Sequence, residues 1–229
     1  MRQVGIATSE TDKSTFEAEG RVWFRGLLSD HELAAFDAAS ANDGRPGARV
    51  PEQASFNTTL RGNRPLAAAL KGLCGNAVPV RYVFFNKTGA INWGVPWHQD
   101  RVIAVREKQN VQGFTNWSRK SEIWHCEPPH ALLDHMLFVR IHLDDNTPDN
   151  GAMEIALGSH AFGVIAAQDA ERLAQTCRKE ICTAARGDVL VLKMLTLHRS
   201  LPSRTELPRR VFRVDFSAAR LPKPLAWAC

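Results

Sequence analysis

The sequence predicts a mainly β domain, an antiparallel sandwich or barrel, with helices packed on it from the N-terminal side. Three observations carry this. The chain has 229 residues, 44% hydrophobic and 23% charged, which suits one ordinary globular domain and excludes disorder, a coiled coil or a fibrous repeat. Four short apolar segments lie beyond residue 79: Val80–Phe85, Met136–Leu143, Asp188–Leu192 and Arg210–Phe216. Each is bounded by Gly, Pro, Asn or Asp, the punctuation of strands. No helices alternate with them, so a parallel βαβ sheet is not expected.

The elements follow in order. Gly20–Phe24 reads as a short strand. Ser29 and Asp30 precede Glu32, with Leu33, Phe36 and alanines at helical spacing behind them, the pattern of a capped amphipathic helix. The turn-rich stretch Asn42–Gly47 closes it, and a second helix fits Pro65–Leu73 with Gly75 as its stop. Residues 1–78 are therefore expected as mostly helical support and 79–229 as the β core. Within that core, 106–130 has no clear periodicity and holds Trp117, Lys120, Trp124 and His125. An irregular insertion of this length reads as a binding loop or a mobile lid.

Charge and cysteine usage narrow the function classes. The net charge is +5 and the pI about 9.1, but no block of consecutive basic residues occurs, so nucleic-acid binding is not indicated. Five scattered cysteines without a C-x-x-C pair argue against a disulfide framework and a structural zinc site. No apolar stretch spans a bilayer and no secretory signal follows Met1. A reduced, cytoplasmic protein with no obligate partner is expected.

Among eight histidines, His98 stands in His98-Gln99-Asp100. On a strand, residues i and i+2 share a face, so an imidazole and a carboxylate would project together. His198 is the third candidate, after the Val189–Leu197 stretch. Two histidines and one carboxylate on one side of a metal suit Fe(II) and leave positions open for substrate. The H-x-D pair alone reads more readily as a satisfied polar pair on a sheet than as a metal site.

Around these residues the chain resembles the phytanoyl-CoA dioxygenase family of Fe(II)/2-oxoglutarate oxygenases. The likeness rests on His98-Gln99-Asp100 after Pro96-Trp97, on Arg140–Asp145 followed by Asn150–His160, and on His198-x-Ser200 with Arg209 eleven residues beyond His198. Gly20–Leu33 is similar as well. The resemblance implies a double-stranded β-helix holding Fe(II) through His98, Asp100 and His198. It further implies that Arg209 and Ser200 bind the distal carboxylate of 2-oxoglutarate and that Gln99 lies near the cosubstrate. It also implies a hydroxylase that uses O₂, acts on a small molecule and releases succinate and CO₂. Halogenating relatives replace the carboxylate ligand by a small residue, whereas here Asp100 is present. Arg210 rivals Arg209, because alternation sets Arg209, Val211 and Arg213 on one face and Arg210, Phe212, Val214 and Phe216 on the other. The apolar set lies with Arg210; only the family spacing selects Arg209. His160 is expected to be a turn residue, His142 a wall residue and His31 solvent-facing, while turn chemistry explains Asn86 and Asn92 as well as a site role does. Trp117, Lys120, Trp124 and His125 are the expected substrate contacts. A non-catalytic ligand-binding β-sandwich and a cupin-type metalloenzyme without 2-oxoglutarate are the alternatives.

Overall fold

The computed structural model describes residues 9–39 and 47–229. In chain order the elements are α1 (Glu10–Glu19), β1 (Arg21–Phe24), α2 (Asp30–Ala38), β2 (Ala48–Arg49), α3 (Ala54–Gly62), α4 (Arg64–Cys74), β3 (Val78–Lys87), β4 (Val95–His98) and β5 (Ile103–Val105). Then follow β6 (Thr115–Lys120), β7 (Ile123–Glu127), α5 (His130–Leu133), β8 (Met136–His142), β9 (Met153–Ala156), α6 (Ala170–Thr176), β10 (Lys179–Ile181), β11 (Val189–Lys193), β12 (His198–Ser200) and β13 (Arg209–Ser217). The turn expected at Asn42–Gly47 lies, but for Gly47, outside the described residues.

The helical N-terminal region is built on caps. Ser29 and Glu32 form a capping box, the Ser29 N–H and hydroxyl both donating to the Glu32 carboxylate at 2.9 and 2.7 Å. Asn63 Oδ1 accepts from the Leu66 N–H at 2.8 Å to start α4, and Gly75 ends it. Two helices go beyond the sequence reading, α1 and α3. The first carries its own signals: a box between Ser9 and Asp12, and Gly20 at its end with φ of 78°. Gly20 is also needed sterically, since a Cβ there would sit 2.5 Å from the His160 ring.

The four strands expected beyond residue 79 form, as does the one expected at Gly20–Phe24, and all five lie in one antiparallel sheet of order β1-β11-β8-β13-β3-β2. Facing it is a smaller sheet, β10-β9-β12-β4, and β5-β7-β6 make a third. This is the jelly-roll architecture of a double-stranded β-helix. One core fills the space between helices and the outer face of the large sheet, with Phe36, Phe56, Tyr82 and Phe212 ring to ring at 4.8–6.2 Å. A second core, including Phe138, Met153, Ile155, Leu190 and Leu192, lies on the inner side of the large sheet and reaches the smaller one. A third joins Trp97, Ala156 and Leu197 to α6.

The 106–130 insertion differs from expectation. Residues 106–114 are irregular, but beyond them β6 and β7 form a hairpin whose turn residues Ser121 and Glu122 have φ of 49° and 63°, and β7 also pairs with β5. Two left-handed residues in a two-residue loop match the right-handed twist of hairpin strands, but neither is glycine, so composition does not announce the turn. Among the described residues, no helix is long and apolar enough to cross a membrane, and the five cysteines are free thiols.

Candidate metal and cosubstrate site

Cross-strand pairing of β12 with β4 sets His198 opposite His98, with ring centroids 4.2 Å apart. Each Nδ1 lies against a backbone carbonyl two residues back, His98 on Pro96 at 2.8 Å and His198 on Thr196 at 2.9 Å. A ring nitrogen facing a carbonyl must carry the proton, which leaves both Nε2 lone pairs free to ligate. β4 ends at His98, so strand alternation does not place Asp100, contrary to the sequence expectation. Asp100 is instead held by the Arg213 guanidinium from β13 and lies 3.2 Å from His198 Nε2. The three ligating atoms are within 4.8 Å of one another.

The electrostatics suit a cation. Burial opposes the Asp100 charge, but Arg213 and His198 outweigh it and hold the carboxyl well below its usual range. Burial and the neighbouring His198 push His98 down to about 4. His98 is therefore a neutral imidazole and Asp100 a carboxylate at neutral pH, forms a divalent metal requires. A two-histidine, one-carboxylate cluster facing an open cavity fits Fe(II).

A cavity of about 220 Å³ opens from these ligands, bordered by seven cationic side chains and one carboxylate, Asp100. Its lining includes Arg209, Ser200 and Arg140; on the large sheet Arg209 lies opposite Lys87, and Arg140 lies opposite Arg213. Lys87 donates from behind to Ser200 Oγ at 2.9 Å and to the Leu201 carbonyl at 2.6 Å. Arg209, Arg140 and Lys87 are 3%, 5% and 0% exposed. None of the three meets a carboxylate among the described residues, and Nε of both arginines lacks any partner. Burial, with the nearby Arg140 charge, pushes Arg209 down to about 9. Burial with Arg209 and Arg140 pushes Lys87 down to about 7. Buried cations left unpaired this way are a binding site for an anion.

Arg210 takes the opposite course. It pairs with Asp144 at 2.7 Å and with Asp37 at 2.9 Å on the helix side. The apolar set that shares its face, Phe212, Val214 and Phe216, belongs to the helix-covered core. The inner face of β13 is the polar one.

The other expected site residues divide. Lys120 borders the cavity mouth. His125 is buried beside Arg49 at 3.4 Å and lines a small neighbouring pocket. Trp117 and Trp124 pack edge to face at 6.5 Å against the second core, and neither borders the cavity. Gln99 corrects its expectation: Nε2 donates to the Gly163 and Leu195 carbonyls and Oε1 accepts from Ile165 N, at 2.7–2.8 Å. Its amide clamps two loops behind the ligands, with both Nε2 hydrogens committed there. His160 meets the Glu17 carbonyl, and buried His142 meets that of Asp188. His31 is exposed, and the Asn92 amide ties its loop to the Ser203 backbone through two hydrogen bonds.

The sequence reading missed Lys87, Arg140, Arg213 and Arg49. Arg140 carried a signal, a charge in the middle of an apolar strand, which a core strand tolerates only where an anion meets it.

The profile of the phytanoyl-CoA dioxygenase (PhyH) family matches residues 9–211. A search of curated proteins finds no match. Among solved structures, EctD from S. alaskensis with 2-oxoglutarate and 5-hydroxyectoine superposes with a TM-score of 0.69 at 19% identity, covering 98% of this chain and 82% of that one. The non-heme alpha ketoglutarate dependent carbocyclase SnoK from nogalamycin biosynthesis gives 0.62 at 16% identity, covering 91% and 83%. EvdMO1 gives 0.65 at 19% identity over 92% of this chain, which spans 50% of the length of that protein. At such identities these likenesses establish the fold, and the family match over most of the sequence establishes kinship: the chain belongs to the phytanoyl-CoA dioxygenase (PhyH) family.

Proposed function

We propose that this protein is an Fe(II)- and 2-oxoglutarate-dependent oxygenase that hydroxylates a C–H bond of a small molecule, with release of succinate and CO₂. One observation carries the reading. A His-Asp-His cluster shares a cavity with Ser200 and with two buried arginines, Arg209 and Arg140, that meet no carboxylate among the described residues.

His98, Asp100 and His198 would hold the metal. Arg209 offers a planar guanidinium that matches a carboxylate fork in a site shielded from water. Ser200, itself held by Lys87, offers a hydroxyl to the same carboxylate, and Arg140 adds charge nearby. Bound Fe(II) with 2-oxoglutarate supplies O₂ activation and oxidative decarboxylation. Arg213 positions Asp100, and is fixed in turn by Asp215 at 2.6 Å, which also pairs with Arg81 at 2.6 Å. Support for hydroxylation, as against other outcomes, comes from the carboxylate at Asp100, which leaves no vacancy for halide among the ligands. The fold does not decide the outcome by itself, since SnoN, of the same fold, is a non-heme alpha ketoglutarate dependent epimerase.

The test is succinate release from protein supplied with Fe(II), 2-oxoglutarate and O₂, together with anaerobic Fe(II) titration. Stoichiometric iron binding is expected, weakened at least about 100-fold in His98→Ala and His198→Ala, beyond what loss of an outer partner costs. Wild-type-like iron binding in either variant, or no succinate from the wild type, overturns the reading.

A further inference from the structure

Of the seven cationic side chains around the cavity, three are neutralised by the protein. Arg199 pairs with Glu154 at 2.7 Å, Arg81 with Asp215 at 2.6 Å, and Arg213 with both Asp100 and Asp215. Arg140 and Arg209, with Lys87 behind, match the charge of a dicarboxylate cosubstrate. Arg49 and Lys120 remain, and neither has a carboxylate partner among the described residues.

Their position separates them from the cosubstrate end. On β3, Arg209 lies opposite Lys87 and Arg49 opposite Val83. Four residues of extended chain divide the two poles, about 13 Å. Arg213, which holds Asp100, also lies opposite Val83, so the metal ligands stand nearer the Arg49 end. Lys120 reaches the same end from the tip of the β6–β7 hairpin. Its charge and that of Arg49 both bear on His125, which sits at about 4 chiefly because it is buried.

Arg49 is poorly satisfied. Its Nε is 3.4 Å from His125 Nε2 and its Nη1 is 3.4 Å from the Gly47 carbonyl, both longer than ordinary N–H hydrogen bonds of about 2.7–3.2 Å. Burial and the adjacent Arg81 and Arg213 charges push it down to about 10. A half-buried guanidinium among like charges is stabilised by an anion that accepts from its fork.

We infer that the substrate carries a carboxylate or phosphate group that docks between Arg49 and Lys120, at the end of the cavity away from Arg209. This rests on the oxygenase reading and adds the substrate class to it. The Arg49 site fixes one end of the molecule, so the C–H bonds a few atoms from its anionic group come over the metal ligands. The seat is shared between the edge strand β2 and the hairpin, so the substrate's own charge ties the hairpin to the large sheet.

The experiment uses a library of small carboxylic acids and phosphate monoesters, each beside its methyl ester or parent alcohol, as stimulators of succinate release. The anionic members should stimulate and their neutral counterparts should not; the two arms separate carboxylate from phosphate. For the compounds that stimulate, KM should rise at least about tenfold in Arg49→Gln and in Lys120→Gln, the loss of one charge-assisted contact. Arg49→Lys should restore part of it, whereas Arg204→Gln, which alters an exposed arginine paired with Asp149, should match the wild type. Inorganic phosphate titrated calorimetrically into the 2-oxoglutarate-saturated protein gives a reading free of turnover, with binding weakened in the same two variants. Stimulation by the neutral members, or unchanged KM and unchanged phosphate binding in folded Arg49→Gln, overturns the inference. Absence of succinate under all conditions strikes the oxygenase reading instead.

Discussion

On one face of β13, Phe212 meets Phe36 and Phe56 at 4.8 Å and Val214 and Phe216 extend the same helix-covered core. On the other face of the same strand, Arg209 and Arg213 stand buried beside the cavity. The outer face is apolar and closed, and each side chain there lowers the free energy of folding by leaving water. The inner face gathers like charges that raise it. A single nine-residue strand thus divides its labour by alternation: one face keeps the domain folded and the other is kept ready for an anion.

The comparison breaks most visibly at Phe212. Truncation to Ala should destabilise the protein by about 3–5 kcal/mol through the cavity left among the rings of Phe36, Phe56 and Tyr82. 2-Oxoglutarate affinity measured well below the lowered melting temperature should change little. Denaturant unfolding and calorimetry at low temperature check the two halves. A large affinity loss in folded Phe212→Ala would mean that the faces are not independent.

The reverse change is Arg209→Ala, which should cost about 2–5 kcal/mol of 2-oxoglutarate binding, much of it from leaving a carboxylate unpaired. The empty protein should be no less stable, because a buried uncompensated charge has gone. Arg210→Ala should do the opposite: near-normal 2-oxoglutarate binding, with some loss of stability as Asp144 loses its partner and Asp37 one of its contacts. A greater sensitivity of binding at Arg210 would invert the register of β13.

Lys87 sharpens the contrast through pH. Its pKa is pushed down to about 7 by burial and by Arg209 and Arg140, against about 10.4 for a free lysine. The folded state therefore resists its protonation: this penalty is full below pH 7 and is relieved as pH rises toward the unfolded value. A bound dicarboxylate favours the ammonium form and raises the pKa, so binding takes up a proton above pH 7. Affinity for 2-oxoglutarate should then fall as pH rises above about 7, by at most about tenfold per unit. Lys87→Met should flatten that slope and stabilise the empty protein at neutral pH. Calorimetry in buffers of different ionisation heat reads the proton directly.

How much of this was legible in the sequence follows the same division. Strands covered on both sides read as continuous apolar runs, which is why Val80–Phe85, Met136–Leu143, Asp188–Leu192 and Arg210–Phe216 were all found, and why they proved to be neighbours in one sheet. The ligand triad was legible through residue type and family likeness, although the local reason offered for Asp100 was wrong, since a tertiary contact to Arg213 replaces strand alternation. Arg209 was misjudged by pattern alone, because an apolar face was assumed to point into the barrel; here it points at helices. Arg49, Arg140 and Lys87 are far apart in sequence, and only pairing through β3 and β13 brings them around one cavity. The hairpin was missed because its strand β6, Thr115–Lys120, is largely exposed and its turn has neither Gly nor Pro.

The smallest expected effect concerns that hairpin. β6 pairs only with β7 and lies at the edge of a three-stranded sheet, while β8 is buried along its whole length in the centre of the large one. Amide exchange follows local opening, which is easy where few buried contacts hold a strand. Exchange in β6 of the protein alone should therefore be much faster than in β8. If Lys120 helps to seat an anionic substrate, its binding ties the hairpin across the cavity, and β6 should slow with iron, 2-oxoglutarate and a stimulating acid while β8 does not change. Trp124→Ala probes the same hairpin from its other side. Trp124 packs on Trp117 rather than on the cavity, so its loss should speed β6 exchange and raise KM only modestly. It should also raise uncoupled succinate release, because closure excludes water from the site. Protection of β6 already present in the protein alone would make the hairpin a fixed cover, with substrate entry through another face of the cavity.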